Sequence, residues 1–296
     1  METLEALGHQ IQSVNDLDTV VKTMKGLAAV NIRQYEQAAR ALRDYYRTLE
    51  LGMQILMQRA PELLTAPSAD ARGRLATVVV GSDQGMCGQF NSRIVAHVNE
   101  RLGELASDSD PPSILAVGVR AEAELEASRH RVTGSLGLPS SAAEITRRVQ
   151  ELVLEINRWR EEKTVRRVWL FHQRPLGGAS YEPHFERVIP LSDDWLRSLR
   201  ARPWPTQMLP TFTMDRQKLL SSLIRQYLFA AFYRALAESL AAENAARLAS
   251  MQAAEKNVEE RLDRLTEQYH RRRQNAITEE LLDVTAGFEV LQPRKA

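Results

Sequence analysis

The sequence has little cysteine, no surplus of one charge sign and no long apolar run, and each shortage excludes a class of protein. Cys87 is the only cysteine among 296 residues, so no disulfide can form within the chain, which fits a reducing compartment. The six histidines lack the spacing of metal ligands, so no metal site is expected. Lysines and arginines number 39 against 38 acidic residues, so no overall field would recruit nucleic acid. No apolar stretch approaches the roughly 20 residues of a membrane span, so no segment is expected to cross lipid.

Proline is also missing from long stretches at both ends of the chain. The first proline is Pro61, and none occurs between Thr211 and Leu291, where Gly287 is the only glycine. The C-terminal stretch is rich in Ala, Leu, Glu, Gln and Arg, which favour helices. Each end therefore predicts a single helix far longer than the average of ~12 residues.

Apolar residues recur every seven positions in both of these predicted helices. The N-terminal series are Leu7, Val14, Val21, Ala28, Tyr35, Leu42, Leu49 and Leu56, and Leu4, Ile11, Ile32, Ala39, Tyr46 and Met53. Asp18 and Lys25 interrupt the second series. The C-terminal series are Met251, Val258 and Leu265, and Leu248, Leu262 and Tyr269, and the seam is expected to recur at Ile277, Leu281, Val284, Phe288 and Leu291. Two interleaved series of this kind are the a/d seam of a coiled coil, and the simplest partner for each helix is the other, antiparallel.

The middle of the chain alternates short β-branched or aromatic runs with helical patterns. Strands are predicted at Leu75–Gly81, Ser113–Val119 and Arg166–His172, with Tyr181–Leu191 as a further candidate. Alternation of this kind is typical of a parallel sheet with crossover helices. The fold class is therefore α/β plus a long antiparallel coiled coil, with a Rossmann-like domain inserted between the end helices. The expected domains are residues 1–65, 70–205 and 211–296.

A glycine-rich turn follows the first predicted strand and raises the possibility of a nucleotide site. The stretch from Val78 to Asn91 reads VVVGSDQGMCGQFN. A P-loop requires Lys and Ser/Thr directly after its last glycine, whereas Gly88 is followed by Gln89 and Phe90. The spacing GxxxGxxG also differs from the dinucleotide fingerprint GxGxxG. A tight strand-to-helix turn is the alternative that the sequence favours, and Cys87 is interpreted as a small buried residue or, alternatively, a nucleophile.

The densest basic run is Tyr269–Gln274, read YHRRRQ. On a helix its three arginines point to different sides, because successive residues are about 100° apart. This arrangement suits a helix surrounded by protein better than one lying on a nucleic-acid backbone.

The same region resembles the gamma subunits of the F-type ATP synthases. The chain reads YRALAESLAAENAARL from Tyr233 and RQNAITEEL from Arg273. The family carries the similar patterns YRALxESLASExAARM and RQAxITxEL, and the glycine turn resembles its SDxGLCGxxN, with Met86 and Gln89 as departures. A further departure is Leu17–Val21, read LDTVV, where the family has a Thr-x-Lys-Ile-Thr pattern.

The resemblance implies the central rotor shaft of a rotary ATP synthase, which has no catalytic site or cofactor of its own. Its implied partners are three alpha and three beta subunits, the epsilon and delta subunits and the membrane ring of c subunits. The implied location is peripheral, on the cytoplasmic face of a bacterial inner membrane, because no transit peptide is visible.

The resemblance also implies contact residues. Arg273, Gln274 and Thr278 would contact a catalytic beta subunit, as would Lys22, Met24 and Lys25 on the N-terminal helix. The tip inside the alpha/beta collar would be Ile277, Leu281, Val284, Phe288 and Leu291. The foot against the c ring and epsilon would be Gly85, Met86, Cys87, Gly88, Gln207 and Pro210.

Two other classes remain open from the residues alone. An α/β nucleotide-binding enzyme with a helical arm would need a catalytic or phosphate-binding constellation around the glycine turn. A coiled-coil scaffold would need its helices to pair between chains and not within one.

Overall fold

The computed structural model describes residues 3–60, 73–105, 111–162, 165–178 and 180–291, and the side chains among these except those of 104–105 and 286–291. The helices are α1 (Leu4–Arg59), α2 (Phe90–Leu105), α3 (Val119–Ala127), α4 (Ile145–Glu162), α5 (Asp193–Ala201) and α6 (Arg216–Leu291). The strands are β1 (Arg74–Val80), β2 (Ser113–Val117), β3 (Val132–Leu136), β4 (Val165–Gly177) and β5 (Ser180–Ile189). The predicted domain limits at 65, 70 and 296 lie outside the described residues.

The five strands form one mixed sheet in the order β3-β2-β1-β4-β5. β1 is parallel to β2 and β4, and β2 is parallel to β3, whereas β5 runs antiparallel to β4. The prediction of an α/β domain between two long terminal helices is confirmed. The candidate strand Tyr181–Leu191 corresponds to β5, which runs antiparallel to β4 because only two residues separate the two strands, and so short a connection joins antiparallel strands.

Two short elements do not appear in the sequence prediction. Strand β3, read VTGSL, lies at the sheet edge and is only half-buried, so its apolar pattern is weak. Helix α5 begins after Ser192, whose hydroxyl accepts a hydrogen bond from the Trp195 backbone N–H. Its nine residues give too short a pattern to separate a helix from the loop that follows it.

The sheet is buried on both faces, as a central parallel strand requires. Val78, Leu115 and Leu170 face α4 and α6 on one side. Successive residues of a strand point to opposite faces, so Val79 and Phe171 pack on the other side, against α2. The long helix α6 thus forms part of the core of the α/β region as well as part of the coiled coil.

By its contacts the chain divides into two units, Ala28–Leu248 and Met1–Leu27 with Ala249–Ala296. In the larger unit α1 and α6 are antiparallel: the Tyr45 hydroxyl donates to Gln226 at 2.5 Å, and the Asn31 amide donates to Asn244 at 3.3 Å. In the smaller unit the same two helices pair through Lys25 and Glu255 at 2.5 Å.

Burial follows the seven-residue pattern. Leu7, Val21, Met251, Val258 and Leu265 are all buried in the smaller unit. Asp18 and Lys25, which interrupt the apolar series, occupy seam positions and are half-buried, and α1 continues through both. No helix in the described ranges carries an apolar segment long enough to cross a membrane.

Candidate functional site

The glycine turn lies at the carboxyl edge of the sheet, where β1 ends. The Asn91 side chain accepts from the Ser82 N–H at 2.9 Å and donates to the Ser82 hydroxyl at 2.8 Å, which closes the turn. A Cβ on Gly81 would lie 2.4 Å from the Cβ of Ala121, so only glycine fits this close approach. Met86 and Gly88 both have φ of 60°, and the Met86 side chain is exposed. The turn therefore has one fixed conformation, which presents Met86 to the surroundings.

Asp83 connects the glycine turn to two other segments of the sheet edge. Its carboxylate accepts from the Val119 N–H at 3.0 Å, at the start of α3, and from the Leu138 N–H at 2.8 Å. A carboxylate of the chain itself therefore caps α3, and the Asp83 side chain serves internal packing.

The turn is attached to α6 by a buried ion pair. Arg247 lies 2.5 Å from Glu243 and also donates to the carbonyls of Gln84 and Gly85, at 3.5 and 3.4 Å. Burial raises the pKa of Glu243, and the charge of Arg247 opposes that rise. Two residues of the family-like segment of α6 therefore connect that helix to the glycine turn.

Cys87 is a packed residue. It is buried in a cluster with Phe90, Ala242 and Ala246, and its sulfur lies 3.6 Å from the Ser82 hydroxyl. Burial raises the pKa of the thiol, which keeps it protonated and weakly nucleophilic. The interpretation of Cys87 as a small buried residue fits this environment better than the alternative of a nucleophile. Across the described ranges, no group of three or more His, Cys, Asp or Glu side chains could hold a metal ion.

The two predicted foot segments lie far apart. Gln207 and Pro210 belong to an exposed loop just before α6, next to the last turns of α1, whereas Gly85–Gly88 lies against α6 at Arg247. At ~1.5 Å per residue, roughly 45 Å of helix separates the start of α6 from Arg247. Met208 and Leu209, which sequence analysis did not single out, are also exposed in this loop.

The predicted contact residues of the N-terminal helix differ in whether their side chains already have partners within the chain. Lys22 donates to Asp18 at 2.7 Å, and this hydrogen bond and the Asp18 charge raise the pKa of Lys22. Lys25 is paired with Glu255 across the seam. Met24 is half-buried and has no polar group to satisfy.

An exposed apolar stripe runs along the same helix and was missed in the sequence. Leu17, Val20 and Leu27 are all more than half exposed, and with Met24 they are spaced at i, i+3, i+7 and i+10. This spacing places all four on one side of a helix. A search for a second apolar periodicity, outside the seam, would have found it.

The C-terminal end of α6 is exposed along its length. Every side chain from His270 to Thr285 is exposed, including those of Ile277, Leu281 and Val284. The side chains of Phe288 and Leu291 lie outside the described residues. Tyr269 is the last seam residue of α6 that is partly covered, so the predicted recurrence of the seam at Ile277, Leu281 and Val284 is wrong, because the helix continues beyond its pairing with α1.

The polar side chains in this end of α6 differ in whether they have a hydrogen-bond or ion-pair partner within the chain. Arg271 pairs with Glu267, and Thr278 donates to the Gln274 backbone carbonyl at 2.9 Å. Among the described residues, neither the Arg273 guanidinium nor the Gln274 side-chain amide has a hydrogen-bond or ion-pair partner. These two side chains are therefore available to another molecule.

Comparison with known proteins agrees with this arrangement. The model of a family described as ATP synthase matches residues 3–291. The ATP synthase gamma chain of Methylibium petroleiphilum is 28% identical over 282 residues, covering 94% of this chain and 95% of the relative. The gamma chain of Fuscovulum blasticum is 28% identical over 296 residues, covering 98% and 100%. A chain of the Euglena gracilis mitochondrial ATP synthase shares the fold, with a TM-score of 0.67, 17% identity, and coverage of 99% and 98%. The match extends over both long helices and the sheet between them, so the chain belongs to the ATP synthase family.

Proposed function

We propose that the chain is the gamma subunit, the central rotor shaft, of a rotary F-type ATP synthase. The observation that carries the proposal is the end of α6, which continues past its pairing with α1 and exposes Ile277, Leu281 and Val284. An apolar helix end of this kind needs a protein environment around it. A collar of alpha and beta subunits would provide that environment and would allow rotation, because apolar contacts are weakly directional.

The mechanism requires a stiff and asymmetric shaft. Stiffness would come from the buried seam between α1 and α6, because a coiled-coil seam of this kind packs its side chains as knobs into holes. Asymmetry follows if one copy of the chain stands inside a ring of three alpha and three beta subunits. The shaft then contacts three identical catalytic sites differently, and each contact that differs between states shifts nucleotide affinity. Ion flow through the membrane ring is thereby coupled to ATP synthesis or hydrolysis.

Two groups of residues would transmit the coupling. Arg273 and Gln274 have unsatisfied donors on the exposed part of α6 and would hydrogen-bond a loop of the beta subunit, with Thr278 beside them. Lys22, Met24 and Lys25 would contact beta from α1. Because both lysines already pair with acids of the chain, Met24 would supply the main contact of that group.

The foot of the shaft would contact the c ring and the epsilon subunit, with delta as a further partner of the complex. The exposed loop with Gln207 and Pro210 suits this role, since Met208 and Leu209 add apolar surface. A separate contact would form beside α6 at Arg247, where the exposed Met86 projects from the turn of Gly85, Met86, Cys87 and Gly88. The Euglena gracilis assembly that shares the fold contains F1 and a c-ring.

The chain would contribute no catalytic site or cofactor of its own and would act at the cytoplasmic face of a bacterial inner membrane. The nucleotide-binding alternative is weakened because Gly88 is followed by Gln89 and Phe90, and not by the Lys and Ser/Thr of a P-loop. The scaffold alternative is weakened by the pairing of α1 with α6 of the same chain.

The decisive variant is Arg273→Ala in the assembled complex. Loss of a hydrogen bond from a charged group costs about 1.5–3 kcal/mol. We therefore expect coupled ATPase activity to fall by about tenfold or more with the subunit composition unchanged. The matched control is Arg271→Ala, two residues earlier, where the arginine is already paired with Glu267. Equal activity of both variants would remove Arg273 from the coupling contact.

Co-purification tests the role as a whole. The tagged full-length chain should bring down alpha and beta at three copies each, together with epsilon. A chain that purifies alone, or as a coiled-coil oligomer of itself, would contradict the rotor role whatever the Arg273 result.

A further inference from the structure

A cleft beside Tyr46 is lined by none of the residues proposed to contact beta, epsilon or the c ring. It has a volume of about 630 Å³ and lies between α1, β5, α5 and α6, all within the larger unit. Its lining includes Tyr46, His184, Arg187, Trp195 and Tyr227. Two smaller hollows are also lined by Tyr46, and Arg43 lines both of them. We call these three spaces around Tyr46 the Tyr46 cleft.

The acidic residues of the cleft already have basic partners within the chain. Glu50 lies 2.9 Å from Arg202, and Glu186 lies 2.5 Å from Arg234. Glu238 lies 3.0 Å from His172. Asp194, at the rim, pairs with Arg197 at 2.5 Å. The negative charges of Glu50, Glu186 and Asp194 are therefore compensated by arginines of the chain, whereas Glu238 has a histidine partner that is charged only when protonated.

Three of its arginines are not compensated. Arg43, Arg47 and Arg187 are exposed, and in the described part of the chain none of them forms an ion pair or a side-chain hydrogen bond. Arg43 and Arg47 lie one turn apart on α1, so their side chains project from the same side of the helix. Arg187 lies on β5 and lines the main cavity. The surplus charge of the cleft is positive and is distributed along it.

The floor between these arginines is aromatic and held in place. The Tyr227 ring lies 5.9 Å from Tyr46 and 5.1 Å from Trp195, measured between ring centroids. The Arg234 guanidinium stacks 5.2 Å from the centre of the Tyr46 ring. Arginine and aromatic side chains that are fixed before binding are typical of the strongest contact points in protein interfaces.

We propose that the Tyr46 cleft binds an acidic segment of a partner protein. Carboxylates of the segment would pair with the forked donors of Arg43, Arg47 and Arg187, which match carboxylate geometry. Apolar side chains of the segment would pack on Tyr46 and Trp195. A protein segment fits better than a small anion, because the free arginines are spread over two elements and separated by aromatic surface instead of converging on one point.

The test is a titration of the full-length chain with a fluorescein-labelled oligoglutamate peptide, followed by fluorescence anisotropy. We expect saturable binding that weakens at higher salt, since exposed charges are screened. The variant Arg43→Glu/Arg47→Glu should bind at least about tenfold more weakly. The matched control is Arg33→Glu/Arg131→Glu, which makes the same charge change at exposed arginines outside the cleft. Circular dichroism should be unchanged in both, because all four side chains are exposed.

Several outcomes would overturn the proposal. Equal weakening in the control would mean that the peptide follows overall charge and not the cleft. Failure of the peptide to saturate would mean that the cleft has no affinity for carboxylates. Competition by ATP as strong as that by unlabelled peptide would indicate a small-anion site, and preferential binding of phosphatidylglycerol vesicles would indicate a lipid surface. Because the titration uses the chain without other subunits, its result does not depend on the rotor role.

Discussion

Replacing Arg247 with methionine tests how the glycine turn is attached to α6. The Arg247 side chain is only about a tenth exposed, and it makes the ion pair with Glu243 and two hydrogen bonds to the turn. Methionine keeps most of the volume but removes the charge and all the donors. The buried carboxylate of Glu243 is then left without a compensating partner.

The expected cost is large because both partners are buried. Removing one partner of a buried ion pair costs about 3–5 kcal/mol, whereas replacing both with apolar groups of similar volume is often nearly neutral. Arg247→Met should therefore lower the free energy of unfolding by about 3 kcal/mol or more. The double variant Glu243→Met/Arg247→Met should recover most of that loss.

The assay is urea unfolding of the full-length chain, arranged as a double-mutant cycle. The control is Arg271→Met, whose partner Glu267 is exposed, so that its cost should stay within about 1 kcal/mol. A loss of less than 1 kcal/mol in Arg247→Met, or a double variant that is worse than either single one, would refute the reasoning.

Two further predictions concern the seam and the response to acid. Leu265→Ala should lower the free energy of urea unfolding by about 2 kcal/mol or more, because Leu265 is buried between the helices. Leu281→Ala should change it by less than about 0.5 kcal/mol, because Leu281 is exposed. Equal losses in the two variants would contradict the assignment of Leu265 to the seam. Burial, and then the charges of His172 and Arg174, lower the pKa of His184 below 6.5. The unfolded chain therefore binds its proton first, so stability should be full above about pH 6.5 and fall on acidification, and His184→Gln should flatten that fall in unfolding measured across pH. An unchanged pH profile would exclude His184 as its source.

Local patterns predicted those parts of the fold in which neighbours along the chain decide the structure. The seam positions followed from the seven-residue repeat, and even Asp18 and Lys25, which break the apolar series, occupy seam positions. The segments of β1, β2 and β4 were readable because strands buried on both faces are continuous apolar runs. The exposed end of α6 was predicted as a contact surface through the resemblance, and its contacts stay a prediction.

Weak local patterns account for the elements that were missed. The half-buried edge strand β3 has too few apolar residues to stand out, and α5 is too short for its periodicity to be distinguished from a loop. The antiparallel direction of β5 depends on the short connection after β4, and a strand pattern by itself does not encode direction.

The sequence by itself determined the two long helices, the seam that pairs them, the α/β character of the middle and the family. The tertiary structure decided which groups far apart in sequence meet: Asp83 with the start of α3, Arg247 with the glycine turn, and Tyr46 with the edge of β5 around one cleft. It also separated Gln207 and Pro210 from Gly85–Gly88. The physical reason is that helix and strand periodicity arises from residues a few positions apart, whereas ion pairs, caps and clefts depend on packing between elements whose spacing along the chain carries no repeat.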